Sequence, residues 1–458
     1  MRTLMPHQQT ALQFLEQHNG QAALFLDCGT GKTLVAIHYV MQHNLLPALV
    51  ICRRDDYYTW QQELALEQVS ARNLQLITSG TQELQPNYPW TLVTYDLVRN
   101  KRICTYIRSC PPYKIVIADE SHSIKRWRAQ RTKAVIGATR HIPRRIAMTG
   151  TPITNDPGDV FTQCLFVDDG KTFGSNYWSF RNTYYVQSGP GWYLRHSAKQ
   201  HIIRKLSNVA FHVDADDVLT LPPVRHFIKA VPMSGQQRRH YSKILKEWEV
   251  QLPNQEIIEL NQVIAQLTKL RQVSSGFVYD KSHKPVWLKS QKLKLLKELL
   301  TSEDYFANKF KIVIWCSHTA EIYHIYELVT DELGKQAVVF TGSQSSKAKN
   351  QARKRFYKDK NISYFIGQSD SGVGMNELAI ADTAIYFSNS FKVVSRQQSE
   401  ARIRRRGSEK HKVITYVDLI CEKSIDGHIL KSLQSHRDIA DYILSKIRER
   451  VTVSQILR

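Results

Sequence analysis

Residues 22–33 constrain the chain more than any other stretch. Ala22-Ala23-Leu24-Phe25-Leu26 is an apolar run of strand length, and Asp27-Cys28-Gly29-Thr30-Gly31-Lys32-Thr33 follows directly. Leu34, Val35, Ile37, His38 and Val40 then continue with helical spacing. A buried strand, a glycine-rich turn ending in Gly-Lys-Thr and a helix are the anatomy of a phosphate-binding loop. Gly29 and Gly31, on either side of Thr30, let the backbone curl so that successive N–H groups point at phosphate oxygens. Lys32 is placed to reach β- and γ-phosphates, and the Thr33 hydroxyl to ligate magnesium. The strict motif has a glycine four residues before Gly31, where Asp27 stands. Alone, the loop therefore also reads as a glycine-rich turn with a lysine at a helix start.

At 458 residues the chain exceeds one hydrophobic core, and two or three domains are expected. The 42% hydrophobic fraction is ordinary for a globular protein. No apolar run approaches the roughly 18–20 residues that span a bilayer, and Met1–Leu12 has no signal-type apolar core. The expectation is a cytosolic protein without membrane contact. Seven cysteines, at 28, 52, 104, 110, 164, 316 and 421, form no Cys-x-x-Cys pair. Neither a disulfide framework nor a zinc ribbon is indicated, and a reducing compartment is expected. Lys plus Arg outnumber Asp plus Glu by 63 to 41, a net charge of +22 with pI near 9.6. That imbalance favours a polyanionic partner, nucleic acid above all.

Further strand-like runs punctuate the chain. Ala48–Cys52, Leu92–Tyr95, Lys114–Ala118 and Arg145–Met148 alternate with helical segments in the first half. Lys311–Trp315, Ala337–Phe340, Ser363–Ile366, Ala384–Phe387 and Val413–Val417 do so in the second. Alternation of this kind implies parallel sheets with helices on both faces, and chemistry at the carboxyl ends of the strands. The expected fold is α/β, with two tandem doubly wound domains. Residues 1–223 make the first, with a helical insertion from about 153. Residues 224–290 read as a helical linker, with helical patterns over Gln236–Leu252 and Ile257–Gln272. Residues 291–458 make the second, closing with an amphipathic helix from Ile425 to Arg458.

Polar clusters sit where strands end. Asp119-Glu120-Ser121-His122 follows the fourth run, and these carboxylates supply what the phosphate loop lacks. Asp119 is placed to hold magnesium through water, and Glu120 to polarise an attacking water. Thr149-Gly150-Thr151-Pro152 ends the fifth run, and His122 is the candidate link between the two clusters. Gln8, about 24 residues before Lys32, carries a carboxamide that matches the N7/N6 edge of adenine. Near the other end, Gln398, Arg402 and Arg405 lie in Gln398-Ser399-Glu400-Ala401-Arg402-Ile403-Arg404-Arg405-Arg406-Gly407. Arginines three apart share a helical face, and a second domain that supplies cations to a γ-phosphate acts as an arginine finger, typically worth about 10³–10⁵ in rate.

Together these residues resemble superfamily 2 helicases, and within them the Swi/Snf-type ATPases of chromatin remodellers and their bacterial and phage relatives. Asp27–Thr33 is similar to that family's Asp-Glu-Met-Gly-Leu-Gly-Lys-Thr, and Asp119–Lys125 to its Asp-Glu-Ala-His-x-Ile-Lys. Leu49–Cys52 through Trp60 resembles its strand-then-tryptophan motif. Thr149–Pro152 with Asn155 resembles Thr-Gly-Thr-Pro-x-x-Asn, and Leu221-Pro222-Pro223 the hinge. Gly372-Val373-Gly374-Met375-Asn376 is similar to Gly-Gly-x-Gly-Leu-Asn, and Gln398, Arg402, Arg405 and Gly407 fall on Gln-x-x-x-Arg-x-x-Arg-x-Gly. Departures are Arg53 for a usual proline, Ala401 for an acid and Ser408 for a glutamine.

The resemblance implies RecA-like domains, ATP and Mg²⁺ as cofactors, and translocation along duplex DNA, with single strands or RNA as alternatives. It implies that Gln8 reads adenine, that Gly374 borders the nucleotide, and that His122, Thr149 and Thr151 couple hydrolysis to movement. Arg53, Trp60, Thr94, Ser317 and Thr341 are expected on the side that grips nucleic-acid backbone. The implied protein is a cytoplasmic monomer of a bacterium or phage-infected host. A strand-separating helicase and a nucleic-acid-binding scaffold with a vestigial ATPase are the rival readings.

Overall fold

A computed structural model describes residues 1–85, 88–109, 113–153, 156–188, 191–251, 260–302, 311–370 and 375–435. The chain divides into two compact units, with the boundary after Thr220.

The first unit is built on seven parallel strands: β1 (Gln21–Leu26), β2 (Ala48–Cys52), β3 (Leu74–Ile77), β4 (Trp90–Thr94), β5 (Ile115–Asp119), β6 (Arg144–Met148) and, past an antiparallel hairpin of β7 (Tyr185–Ser188) and β8 (Gly191–Leu194), β9 (Ala210–Val213). Their order is β3-β4-β2-β5-β6-β1-β9. Both faces are covered, and the period of two is visible in how strand residues divide between two cores. Ala23, Phe25, Leu49 and Ile51 pack on one side, with Val116 and Ala118. Ala22, Leu24 and Leu26 pack on the other, with Ala48, Val50 and Cys52. Helix α1 (Pro6–Gln17), α2 (Lys32–Gln42) and α3 (Tyr57–Leu66) lie on this second side through Leu15, Val35, Ile37 and Trp60. The opposite core takes the inserted helices Phe161–Asp168, Tyr177–Tyr184 and Ala198–Leu206, through Phe161, Phe180 and Ile202.

The second unit holds six parallel strands: β10 (Val224–Val231), β13 (Ile312–Cys316), β14 (Gln336–Phe340), β15 (Ile362–Gln368), β16 (Thr383–Tyr386) and β17 (Ile414–Cys421), with a small antiparallel pair, β11 (Phe277–Tyr279) and β12 (Pro285–Trp287), between the first two in sequence. The order is β10-β17-β16-β13-β15-β14. Ile312 and Ile314 face one core, Val313 and Trp315 the other.

Residues 224–290, read from sequence as a linker, are part of this unit. β10 pairs with β17 over eight positions, from Val224 opposite Ile414 to Val231 opposite Cys421. The two helical patterns are helices Gly235–Gln251 and Leu260–Ser275, and their Tyr241, Leu267 and Leu270 pack on Ile425 and Ile429. Helix Ile425–Gln434 covers the start of the expected C-terminal helix and is capped at Ser435; the rest of that expectation, to Arg458, lies outside the described residues. Among the described residues no helix is long and apolar enough to cross a membrane.

Candidate functional site: a phosphate loop facing an acid pair

Three strands that lie side by side, β5, β6 and β1, end at one edge of the first sheet, and each ends in chemistry. β1 leads through Asp27 into the glycine loop, β5 ends in Asp119, and β6 runs into Thr149. Gly29 and Gly31 have φ of 91° and 88°, the left-handed region that a side chain disfavours. A Cβ on Gly31 would also lie 2.2 Å from Gln8 Nε2. Helix α2 starts at Lys32 without a side-chain cap and with no acid in its first turn. An uncapped eleven-residue helix aimed from a curled glycine loop presents orphan N–H groups and the positive end of its dipole, the setting an anionic phosphate suits.

Polar anchors hold the loop. Thr30 Oγ1 donates to the Asp27 carbonyl at 2.7 Å, and the buried Thr30 carbonyl accepts from Gln8 Nε2 at 2.8 Å. His7 Nε2 lies 2.9 Å from the same carbonyl. Gln8 Oε1 accepts from the Met5 N–H, so both ends of the carboxamide expected to read adenine are engaged by backbone. Asp27, in the place of the strict motif's glycine, has a structural partner: Oδ2 accepts from the Ala215 N–H at 3.1 Å.

Asp119 and Glu120 are buried at 6% and 2% exposure. Burial raises the Asp119 pKa, as does the neighbouring Glu120 charge, and Lys32 opposes both. Burial alone would raise Glu120 too. Lys32, 4.0 Å away, and His122 instead hold it well below the usual carboxylate range. Glu120 itself adopts φ 52°, a left-handed backbone uncommon outside glycine and typical of residues held in place for function.

Glu120 Oε2 accepts from Thr149 Oγ1 at 3.1 Å and lies 3.2 Å from His122 Nδ1. The same His122 atom is 3.2 Å from Thr149 Oγ1, which accepts from the Thr151 N–H. His122 and Thr149 thus meet on one carboxylate, and Thr151 joins them through the Thr149 hydroxyl. Gly150 packs so tightly that a Cβ there would sit 3.2 Å from the Cys28 nitrogen. Thr33 is half-buried at the start of α2. Asn155 and Gly374 lie outside the described residues.

Three supporting residues escaped sequence reasoning. Gln163, fully buried, accepts from Ser121 Oγ at 2.7 Å and donates to the Pro152 carbonyl at 2.8 Å, tying the acid loop to the threonine loop. Tyr95 donates to the Asp119 carbonyl at 2.7 Å. Asp56, 3% exposed, has its pKa pushed up to about 7 by burial and, against the pull of Arg53, by Asp119 and Glu120. Gln163 and Tyr95 lie in none of the motifs quoted above, and Asp56 falls between the strand and the tryptophan of one without being singled out.

Among the residues expected to grip nucleic acid, two are corrected. Trp60 is 1% exposed, and its indole donates to Asp119 Oδ2 at 2.8 Å. Thr341 is fully buried, its hydroxyl paired with Ser343 at 2.8 Å. Neither side chain reaches the surface. Arg53 is half-buried beside Asp56 at 3.9 Å. Thr94 Oγ1 accepts from the Leu97 N–H, and the Ser317 N–H donates to Glu321 and Ser388.

In the second unit, helix Val393–Glu400 carries the buried Gln398 and stops before the arginines. Residues 401–407 are turns that close at Gly407 with φ 99°, so Arg402 and Arg405 do not share a helical face. The physical reason is local: Ser408 Oγ accepts from the Arg405 N–H, replacing a helical bond. Arg402 is 3% exposed, with Nη1 donating to the Ser369 carbonyl at 3.1 Å and its guanidinium 5.4 Å from the Trp315 ring. Arg405 is half-buried.

A parallel sheet that ends one strand in Gly-Thr-Gly-Lys-Thr and a nearby strand in a buried Asp-Glu pair defines the class of P-loop nucleoside-triphosphate-binding folds. The SNF2-related domain matches residues 7–276, more than half of the chain, and the chain belongs to that family.

The chain is 28% identical over 168 residues to the bovine (Bos taurus) SWI/SNF-related matrix-associated actin-dependent regulator of chromatin subfamily A-like protein 1, covering 36% of this chain and 17% of that protein. It is 30% identical over 180 residues to putative protein p41 of Acyrthosiphon pisum secondary endosymbiont phage 1, covering 37% and 39%. It is 23% identical over 477 residues to the Danio rerio chromodomain-helicase-DNA-binding protein 1-like, covering 97% and 44%. The chain spans less than half the length of each of these relatives. A solved Sulfolobus solfataricus SWI2/SNF2 ATPase core in complex with dsDNA is 21% identical with TM-score 0.42, covering 95% of this chain and 91% of that one.

Proposed function

We propose that the chain is an ATP-driven motor that travels along double-stranded DNA. One observation carries the hydrolytic half of this reading: Lys32, His122 and Thr149 converge on the buried Glu120 at the edge that also holds the glycine loop. The backbone of Gly29–Gly31 and the Lys32 ammonium cradle the triphosphate. Thr33 and Asp119 hold its metal, a hydroxyl and a carboxylate being the hard oxygen donors magnesium takes. Magnesium, when bound, neutralises charge that develops on the phosphate oxygens. Glu120, kept anionic by Lys32 and His122, orients the attacking water. A change at Glu120 reaches the Thr149–Thr151 loop through one hydroxyl, which suits a chain that couples hydrolysis to movement.

Family membership and the +22 charge support nucleic acid as the track. The six described cysteines form no disulfide, which suits a reducing cytosol.

ATP turnover measured alone and with duplex DNA, single strands or RNA tests the reading, together with displacement of a third strand from a triplex. Duplex-stimulated turnover with third-strand release, and no separation of the duplex itself, is the expected result. Separation of the annealed strands makes the protein an unwinding helicase. No turnover under any condition makes it a binding scaffold.

A further inference from the structure

The first unit carries an alternating stack of rings and cations that the ATP site does not use. Trp127 follows the acid loop, Trp178 and Arg181 stand one turn apart on helix Tyr177–Tyr184, and Trp192 lies on β8. The Lys133 ammonium is 5.9 Å from the Trp127 ring. The Arg128 guanidinium lies between Trp127 at 5.8 Å and Trp178 at 5.1 Å. Arg181 lies between Trp178 at 5.6 Å and Trp192 at 4.4 Å. The series runs Lys133, Trp127, Arg128, Trp178, Arg181, Trp192.

Two features separate this from an internal clamp. Trp178 is 41% exposed, and Arg128 and Lys133 are exposed, so water covers much of a large flat surface. Among the described residues, none of the three cations pairs with a carboxylate. Two acids close to Tyr177 are committed elsewhere: Asp156 accepts from the Gly158 N–H and the Tyr185 hydroxyl, and Asp159 pairs with Lys125 at 3.5 Å. Tyr177 stacks on Trp127 at 5.0 Å, so the accessible ring is Trp178, where uncompensated cations flank a part-exposed indole and match a ligand that alternates negative charge with flat apolar rings.

We propose that this ladder is a docking site for unpaired nucleobases of a single nucleic-acid strand, DNA or RNA. Bases stack on indole and guanidinium planes while the same cations meet the phosphates. A duplex, with its bases stacked internally, offers the phosphates alone. An acidic peptide offers charge without rings. The site stands independently of duplex translocation, since it needs neither nucleotide nor the second unit.

The test is equilibrium binding of the full chain, without nucleotide and at near-physiological salt. The probes are oligomers of about a dozen nucleotides, of deoxythymidine, of uridine and of abasic sugar-phosphate, with a polyglutamate peptide as competitor. The expected result is that a base-bearing oligomer binds at least several-fold tighter than the abasic one. Trp178→Ala is expected to weaken it about tenfold while leaving abasic binding and the thermal midpoint unchanged. Tighter binding of deoxythymidine or of uridine each supports the proposal and names the source. Equal wild-type affinity for base-bearing and abasic oligomers overturns it without any variant. So does an equal loss for both in Trp178→Ala, or competition by polyglutamate as strong as by deoxythymidine.

Discussion

The indole nitrogen of Trp60 sits 2.8 Å from Oδ2 of Asp119, and the Glu120 N–H occupies the other oxygen at 3.0 Å. A carboxylate that burial pushes toward neutrality thereby keeps a donor on each oxygen. Trp60→Phe removes one donor and keeps most of the packing. It should cost about 1–3 kcal/mol of stability at neutral pH, as expected for a buried charged acceptor losing a partner. Denaturant melts check the stability, and the magnesium dependence of ATP turnover, expected to shift to higher concentration, checks the metal ligand.

Glu120 and Lys32 should separate chemistry from binding. Glu120→Gln keeps shape but loses the charge that orients water, and turnover should fall by about 10²–10⁴-fold with nucleotide affinity retained. Lys32→Ala should abolish turnover and weaken nucleotide binding, while salt-sensitive DNA binding persists. Single-turnover hydrolysis alongside fluorescent-nucleotide titration distinguishes the two.

Asp56 predicts a pH signature. Its folded pKa of about 7 lies above the unfolded carboxylate value, so the folded chain binds this proton more tightly. Stability contributed by the neutral form is complete below the unfolded pKa and is lost as pH rises through about 7. Asp56→Asn mimics the neutral acid. Its stabilising effect should grow by on the order of 2–3 kcal/mol between pH 5 and pH 8. Urea unfolding at the two pH values measures it, and a pH-independent effect would remove Asp56 from the buried acid cluster.

Gly31→Ala should damage the loop twice, through its left-handed backbone and through collision with the Gln8 carboxamide. Nucleotide affinity should drop at least tenfold. Adding Gln8→Ala relieves the collision and leaves the backbone strain, so recovery should be partial, which calorimetric titration of the double variant reads out.

Much of this architecture is written in short apolar runs. Ile51, Ile117 and Ile314 each sit in a strand buried on both faces, and strong apolar runs of that length leave little else to fold into. The strands that sequence reading passed over lack this signal. β9 offers only Ala210-Phe211-His212-Val213, and β10 is largely exposed, with Phe227 and Ile228 about half open, so its membership rests on backbone pairing with β17. The site shows the same division. Lys32, Glu120 and Thr149 were legible because each follows a strand. Trp60, Gln163 and Asp56 act by tertiary placement, which no local spacing encodes. The arginine spacing suggested a helix that Ser408 interrupts.

The pairing of β1 with β9 has a practical corollary. Residues 210–215 flank the strand that launches the glycine loop, and Ala215 fastens Asp27 across 188 positions of sequence. A fragment ending soon after Pro152 would retain each recognisable signature of the first unit yet leave that launching strand raw along one margin. Expression boundaries for an isolated nucleotide-binding half belong beyond Val218, well downstream of the last signature a sequence reader would stop at.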